Sequence, residues 1–245
     1  MNAPRNPAIH PELTDALRAA VAGKAAAART LLADAAAEFG DALAFANSLG
    51  AEDVALTELI LGAQLPIEIF LLDTGRLPDE TYALLAELEA RYRTRFKLYF
   101  PDAAAVEGYV AAHGIDAFRD SVPLRRACCR VRKLEPLARA LAGKQAWITG
   151  LRAAQSPTRA GLATREWDAG NGLVKLNPLA DWSEAEVWAY IHLRELPYNA
   201  LHERFYPSIG CAPCTRAISL GEDVRAGRWW WENPDSKECG LHKHQ

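Results

Sequence analysis

The alternation of short apolar runs with longer helical stretches is what most narrows the folds open to this chain. Apolar runs at 42–47, 67–72, 96–100, 146–149 and 173–176 alternate with helical patterns at 52–61, 79–91, 103–113 and 134–141. Parallel strands need a crossover between them, and helical crossovers cover both faces of the sheet they connect. Ser183, followed three residues later by Glu186, forms a capping-box pattern that opens a further helix through Val187, Trp188 and Ile191. The expected fold is α/β, a mostly parallel sheet flanked by helices.

Residues 11–38 are rich in Ala and Leu. Leu13, Leu17, Val21, Leu31 and Leu32 stand near helical spacing and Gly23 interrupts them, which gives one or two helices ahead of the core. From 207 onward Gly, Pro and charged residues dominate, so the last stretch reads as an arm over the core and not as a further layer. The expected division is a helical segment at 1–40, an α/β body at 41–206, and a loop with a flexible C-terminal arm at 207–245. With 50% hydrophobic and 24% charged residues, 245 residues bury a sizeable core without disulfides. A net charge of −3 argues against nucleic acid or an anionic membrane as the main partner. No apolar run approaches a membrane span, and the N-terminus carries prolines in place of a basic, apolar signal, so the cytoplasm is the expected location.

The 5 cysteines are Cys128, Cys129, Cys211, Cys214 and Cys239. An odd number, all in the second half, is poor material for disulfides; in a reducing compartment it reads as four ligands plus one spare thiol. Cys211 and Cys214 in a Cys-x-x-Cys spacing can reach one centre across a single turn, and Cys128 with Cys129 would complete a four-thiolate site. Zinc and iron–sulfur both remain open on this pattern. Adjacent cysteines point apart along regular backbone, which is awkward around one small ion and easier around a larger cube. Cys239 has polar neighbours and sits beside Gly240, so core packing does not account for it; Lys237 and His242 would favour its thiolate.

Two strand ends carry turn chemistry. Ser48-Leu49-Gly50-Ala51-Glu52-Asp53 joins a strand to a helix and offers a glycine turn and a helix N-terminus to a phosphate. Asp73-Thr74-Gly75 ends the next strand, and ligands in open parallel sheets bind beyond the carboxyl ends of the strands. Lys133 and the arginines at 125, 126, 130 and 132 surround the first cysteine pair with positive charge. Arg152 and Arg159 follow the strand that ends in Thr149-Gly150, and Arg216, Arg225 and Arg228 add guanidiniums, the last two spaced to share a helical face. Such forks suit phosphate or sulfate oxygens. The Trp229-Trp230-Trp231 triplet is expected to pack against the body.

In combination, SLGAED, LDTGR, CCRVRKLEPL, the TGLR and QSPTR segments, GCAPC and the terminal KECGLH resemble the assimilatory adenylyl-sulfate reductase family, in the family's order, over about residues 31–242. The resemblance implies an adenine nucleotide alpha-hydrolase-like fold with a modified PP-loop. It implies a [4Fe–4S] cluster on Cys128, Cys129, Cys211 and Cys214, with Cys239 as the nucleophile. Substrate contacts would fall to Ser48, Gly50, Asp53, Lys133, Gly150, Arg152, Arg159, Arg225, Arg228 and His242. The substrate would be adenylyl sulfate, because relatives that act on the 3′-phosphorylated form generally lack the four cluster cysteines. Thioredoxin or a similar dithiol protein would be the reductant, and a homo-oligomer stays open. Ala153 departs from relatives that carry a second arginine after Arg152. Two rivals use the same residues: an ATP-using adenylyl transferase or sulfur transferase, against which the loop lacks the SGGxDS pattern, and a zinc-stabilised nucleotide-sensing module without catalysis.

Overall fold

Each apolar run forms a strand of one sheet, buried on both sides in the centre and largely exposed at the Lys97–Tyr99 edge. The computed structural model of the chain describes residues 6–155, 159 and 161–233. Strands β1 (Leu43–Asn47), β2 (Glu68–Leu72), β3 (Lys97–Tyr99), β4 (Ala146–Ile148), β5 (Arg165–Asp168) and β6 (Leu173–Leu176) lie in the order β3-β2-β1-β4-β6-β5. β1 pairs in parallel with β2 and β4, β2 with β3, and β4 with β6; β5 runs antiparallel to β6. The helices are α1 (Asp15–Phe39), α2 (Ala51–Leu61), α3 (Asp79–Tyr92), α4 (Ala103–His113), α5 (Val122–Cys129), α6 (Glu135–Leu141) and α7 (Glu184–Leu193).

Period-two alternation divides the strand residues between two cores. Leu43, Phe45, Ile69, Leu71, Ile148 and Leu176 face a large core shared with α1, α2 and α7. Their neighbours Ala44, Phe70, Trp147 and Leu173 face the opposite side, where Leu137, Ala140 and Leu141 of α6 cover them. Ser183 caps α7 as its pattern implies: its hydroxyl accepts from Glu186 N–H and the Glu186 carboxylate accepts from Ser183 N–H. The chain therefore has the expected α/β architecture.

Three local differences have physical causes. α1 runs unbroken through Gly23, because tertiary packing of Val21, Ala25, Ala28 and Leu32 outweighs the poor propensity of one exposed glycine. β5 reads Arg-Glu-Trp-Asp, without the apolar run of the central strands. It is an edge strand, where charged side chains and an exposed Trp167 meet solvent. The basic run after 121 forms α5, a π-helical turn at Arg130–Leu134, and then α6. Among the described residues no helix is long and apolar enough to cross a membrane.

A Cβ at residue 23 would meet nothing within 4 Å. Gly23→Ala should therefore stabilise the fold by about 0.5–1 kcal/mol, read as a higher urea midpoint at unchanged slope. A lower midpoint would mean that α1 is not continuous at this position.

Candidate active site

The strand order makes β1 a switch point: β2 lies on one side of it and β4 on the other, so their carboxyl ends bound a crevice. The turn from β1 into α2 is tight. Leu49 takes a φ of 61°, and its N–H donates to Asn47 Oδ1 at 2.8 Å while its side chain is buried. Asp53, in the first turn of α2, folds back on this loop, and its Oδ2 accepts from both the N–H and the hydroxyl of Ser48 at 2.6 Å. Burial pushes its pKa up to about 7, against the opposing pull of the Ser48 bonds. Gly150, just past β4, packs on the same carboxyl: a Cβ there would lie 2.2 Å from Asp53 Oδ1. Any side chain at 150 would push the two strand ends apart.

A cavity of about 270 Å³ fills the crevice. Ser48, Gly50, Asp53, Lys133, Gly150, Arg152, Arg159, Arg225 and Arg228 all line it, together with Glu52, Gln155, Glu184, Trp188 and His202. Cys239 and His242 lie outside the described residues. Asp73, Thr74 and Gly75 do not line the cavity; Leu71 and Leu72 before them and Leu77 after them do.

The basic groups are tied in different ways. Arg152 is committed to the protein, donating from Nε to Glu52 Oε1 at 2.8 Å and from Nη1 to the Trp182 carbonyl at 3.3 Å. Gln155 Oε1 accepts from Arg152 N–H at 3.1 Å and from Arg159 Nη1, linking the two arginines. Arg225 and Arg228 do not share a helical face. They close a turn in which Arg228 N–H donates to Arg225 O at 2.9 Å, and Arg228 then bridges to Thr215. Gly210 lets the Arg228 guanidinium through, since a Cβ there would lie 2.3 Å from Nη2. That guanidinium stacks over Trp229 at 4.7 Å. Of the tryptophan triplet, Trp229 is buried and Trp230 exposed.

The cysteines gather beside the cavity. Cys128 and Cys129 end α5, Cys211 precedes and Cys214 ends a short 3-10 turn, and the four share one patch with Phe118 and Trp229. All four are free thiols. Burial raises the pKa of Cys128, with Arg132 opposing, and pushes Cys214 up to about 12, with the other three sulfurs adding to the effect. Four mutually repelling thiolates in one buried patch need a positive centre to hold them deprotonated. Among the described residues no three His, Cys, Asp or Glu side chains are drawn together as around one metal ion. Four thiols on one patch are the donor chemistry that a thiolate-ligated centre uses. The Asp73–Arg76 loop links patch and cavity: the Cys211 thiol donates to Thr74 Oγ1 at 3.2 Å, Ala212 N–H to Arg76 O at 2.8 Å, and Arg132 Nη1 to Thr74 O at 2.7 Å. Lys133, next to Arg132 in the π-helical turn, lines the cavity.

His202 carried no motif and escaped sequence reading. It is buried against Trp188, ring centroids 5.0 Å apart, and neither ring nitrogen has a hydrogen-bond partner among the described residues. Glu184 was also unmarked, because a carboxylate at the start of a helix is ordinary in sequence, and Glu52 stood in the SLGAED turn without its role as partner of Arg152.

The phosphoadenosine phosphosulfate reductase domain matches residues 42–217. An adenosine 5′-phosphosulfate reductase of Allochromatium vinosum is 65% identical over 205 residues, covering 84% of this chain and 80% of that protein. A solved phosphoadenylyl-sulfate reductase from Candida auris superposes with a TM-score of 0.66 at 24% identity, covering 85% of this chain and 99% of that one. Yeast FAD synthetase superposes with a TM-score of 0.58 at 17% identity, covering 86% and 72%. Both solved structures share the fold, that of the adenine nucleotide alpha-hydrolases.

Burial holds the His202 pKa down at about 4, against the attraction of Glu52. A depressed value means that the unfolded chain binds the proton more readily. The stability tied to the neutral ring is complete above about pH 6.5 and is lost as pH falls through about 4, at up to about 1.4 kcal/mol per pH unit. Asp53 acts in the opposite sense: its raised pKa makes stability fall as pH rises toward about 7. His202→Phe should lose less stability than wild type between pH 6.5 and 4.5 in urea titrations. Equal losses would show that the ring is protonated in the fold.

Proposed function

The chain belongs to the phosphoadenosine phosphosulfate reductase family, and from that premise we propose that it reduces adenylyl sulfate to sulfite and AMP in sulfate assimilation. The observation that carries this reading is the convergence, on one cavity at the sheet's switch point, of the Ser48–Asp53 turn with Lys133, Arg159, Arg225 and Arg228, beside a patch of four cysteines. Ser48, Gly50, Asp53 and Gly150 shape the seat for the nucleotide. Lys133, Arg159, Arg225 and Arg228, with His242, take the phosphosulfate oxygens, while Arg152 is held by Glu52 and braces the rim.

Cys128, Cys129, Cys211 and Cys214 are the residues to hold a [4Fe–4S] cluster. When bound, such a cluster supplies a compact charged centre beside the phosphosulfate and fixes the geometry of its four thiolates. Lys133 lies four residues from Cys129 and on the cavity wall, so it serves both the anion and the cysteine patch electrostatically.

The Cys239 thiolate attacks the sulfate sulfur. A sulfur–sulfur bond forms, the bond from sulfur to the bridging oxygen breaks, and AMP departs with that electron pair, its charge met by the basic side chains. A dithiol protein of the thioredoxin kind then attacks Cys239 Sγ. Sulfite leaves with the pair of the sulfur–sulfur bond, and the partner's second thiol resolves the mixed disulfide, so that two electrons pass from the dithiol to the sulfonate. Residues 207–245 would act as the unit that carries the second cysteine pair and the nucleophile, on a body of 41–206 braced by 1–40. Free thiols and a dithiol reductant suit the cytoplasm.

Protein given adenylyl sulfate without reductant should gain one SO₃ group on the peptide that contains Cys239, as read by mass spectrometry. Cys239→Ser should gain none, release no sulfite and still bind AMP. An adduct on another cysteine, or sulfite release by the serine variant, would overturn the mechanism.

A further inference from the structure

A buried ion pair outside the cavity joins α5 to the end of the described chain. Arg125 Nε and Nη2 each donate at 2.8 Å to the two carboxylate oxygens of Glu232. The Arg125 side chain is 0% exposed and that of Glu232 4%. The guanidinium also stacks over Trp229 at 4.5 Å and lies against the Cys129 thiol. A pair this deeply desolvated is costly to break, because removing either partner takes a bidentate, charge-assisted contact from a buried charge.

The position of the pair gives it a use beyond local stability. Arg125 precedes Cys128 and Cys129 on the same helix. The segment that bears Glu232 is stitched to the other cysteine pair, through Trp229 N–H to Cys214 O at 3.2 Å, Arg216 N–H to Gly227 O at 3.0 Å and the Thr215–Arg228 bridge. The root of the C-terminal segment is thus held by both halves of the cysteine patch. From Glu232 to Cys239 the chain can reach at most about 25 Å when fully extended.

We propose that Arg125 and Glu232 are positioning residues that anchor the root of the C-terminal segment and so set the reach and direction from which Cys239 approaches the cavity. The inference rests on the reading of Cys239 as nucleophile. Without the ion pair the hold of α5 on this segment is lost, and lost orientation lowers the effective concentration of the thiol. Neither Arg125 nor Glu232 lines the cavity, and Arg228 and Trp229 keep their contacts to Thr215 and Cys214, so nucleotide affinity should stay near the wild-type value.

The test compares wild type with Glu232→Gln, which keeps shape and removes the charge, and with Glu232→Asp, which keeps the charge. Four quantities are read on the cluster-containing protein: the single-turnover rate of SO₃ transfer to Cys239, AMP affinity by calorimetry, the visible absorption, and amide exchange at 228–232. In Glu232→Gln the transfer rate should fall at least about threefold and exchange should quicken, with AMP affinity and absorption unchanged. Glu232→Asp should recover part of the rate. Transfer at the wild-type rate in Glu232→Gln would overturn the anchor while leaving the proposed function intact. A parallel loss of AMP affinity and absorption would reduce the pair to a fold-holding contact and overturn the positioning role. No adduct on Cys239 in wild type would overturn the proposed function, and the positioning role with it.

Discussion

One buried carboxyl group holds the mouth of the sheet. Asp53 accepts both polar hydrogens of Ser48 and lies in van der Waals reach of Gly150, so it ties the end of β1 to the end of β4. An unpaired carboxylate at that depth would be costly, and the two bonds to Ser48 together with a pKa near 7 are how the fold accommodates it. The turn that Asp53 closes contains Leu49 at its strained φ and leads into the first turn of α2. The rest of the cavity is built outward from this junction. Glu52, adjacent in sequence, fixes Arg152. Gln155 then links Arg152 to Arg159.

The second organising feature is the join between cavity and cysteine patch. Thr74, at the end of β2, contacts Cys211 through its hydroxyl and Arg132 through its carbonyl. The π-helical turn puts Arg132 on the cysteine side and Lys133 on the cavity wall in consecutive positions. Arg228 spans the same boundary from the C-terminal side, stacked on Trp229 and threaded past Gly210. This arrangement suits a reaction in which an anionic leaving group forms next to the cysteine patch.

How much of this was legible in the sequence depended on whether the local signal or the packing decided the outcome. The central strands and the capped helix α7 were readable because apolar runs and the Ser183–Glu186 pair are local signals that packing reinforced. Gly23 misled because propensity is a weak term beside a buried face of Val21, Ala25, Ala28 and Leu32. β5 left no apolar trace because an edge strand needs none. Arg225 and Arg228 were rightly grouped in sequence but on the wrong element: a turn, closed by a bond from Arg228 N–H to Arg225 O, brings both to the cavity as a helix would have. Arg125 stood out only as one of a basic run, since its partner Glu232 is far along the chain and only the fold brings the two together.

The central claim is that this cavity, walled by Glu52 and Glu184 and served by the adjoining cysteines, turns over adenylyl sulfate. The most direct test is kcat/KM for adenylyl sulfate against its 3′-phosphorylated form, with the same dithiol reductant and intact cysteine centre. The account predicts turnover much faster with adenylyl sulfate. A preference for the 3′-phosphorylated form, or no sulfite from either, would contradict it.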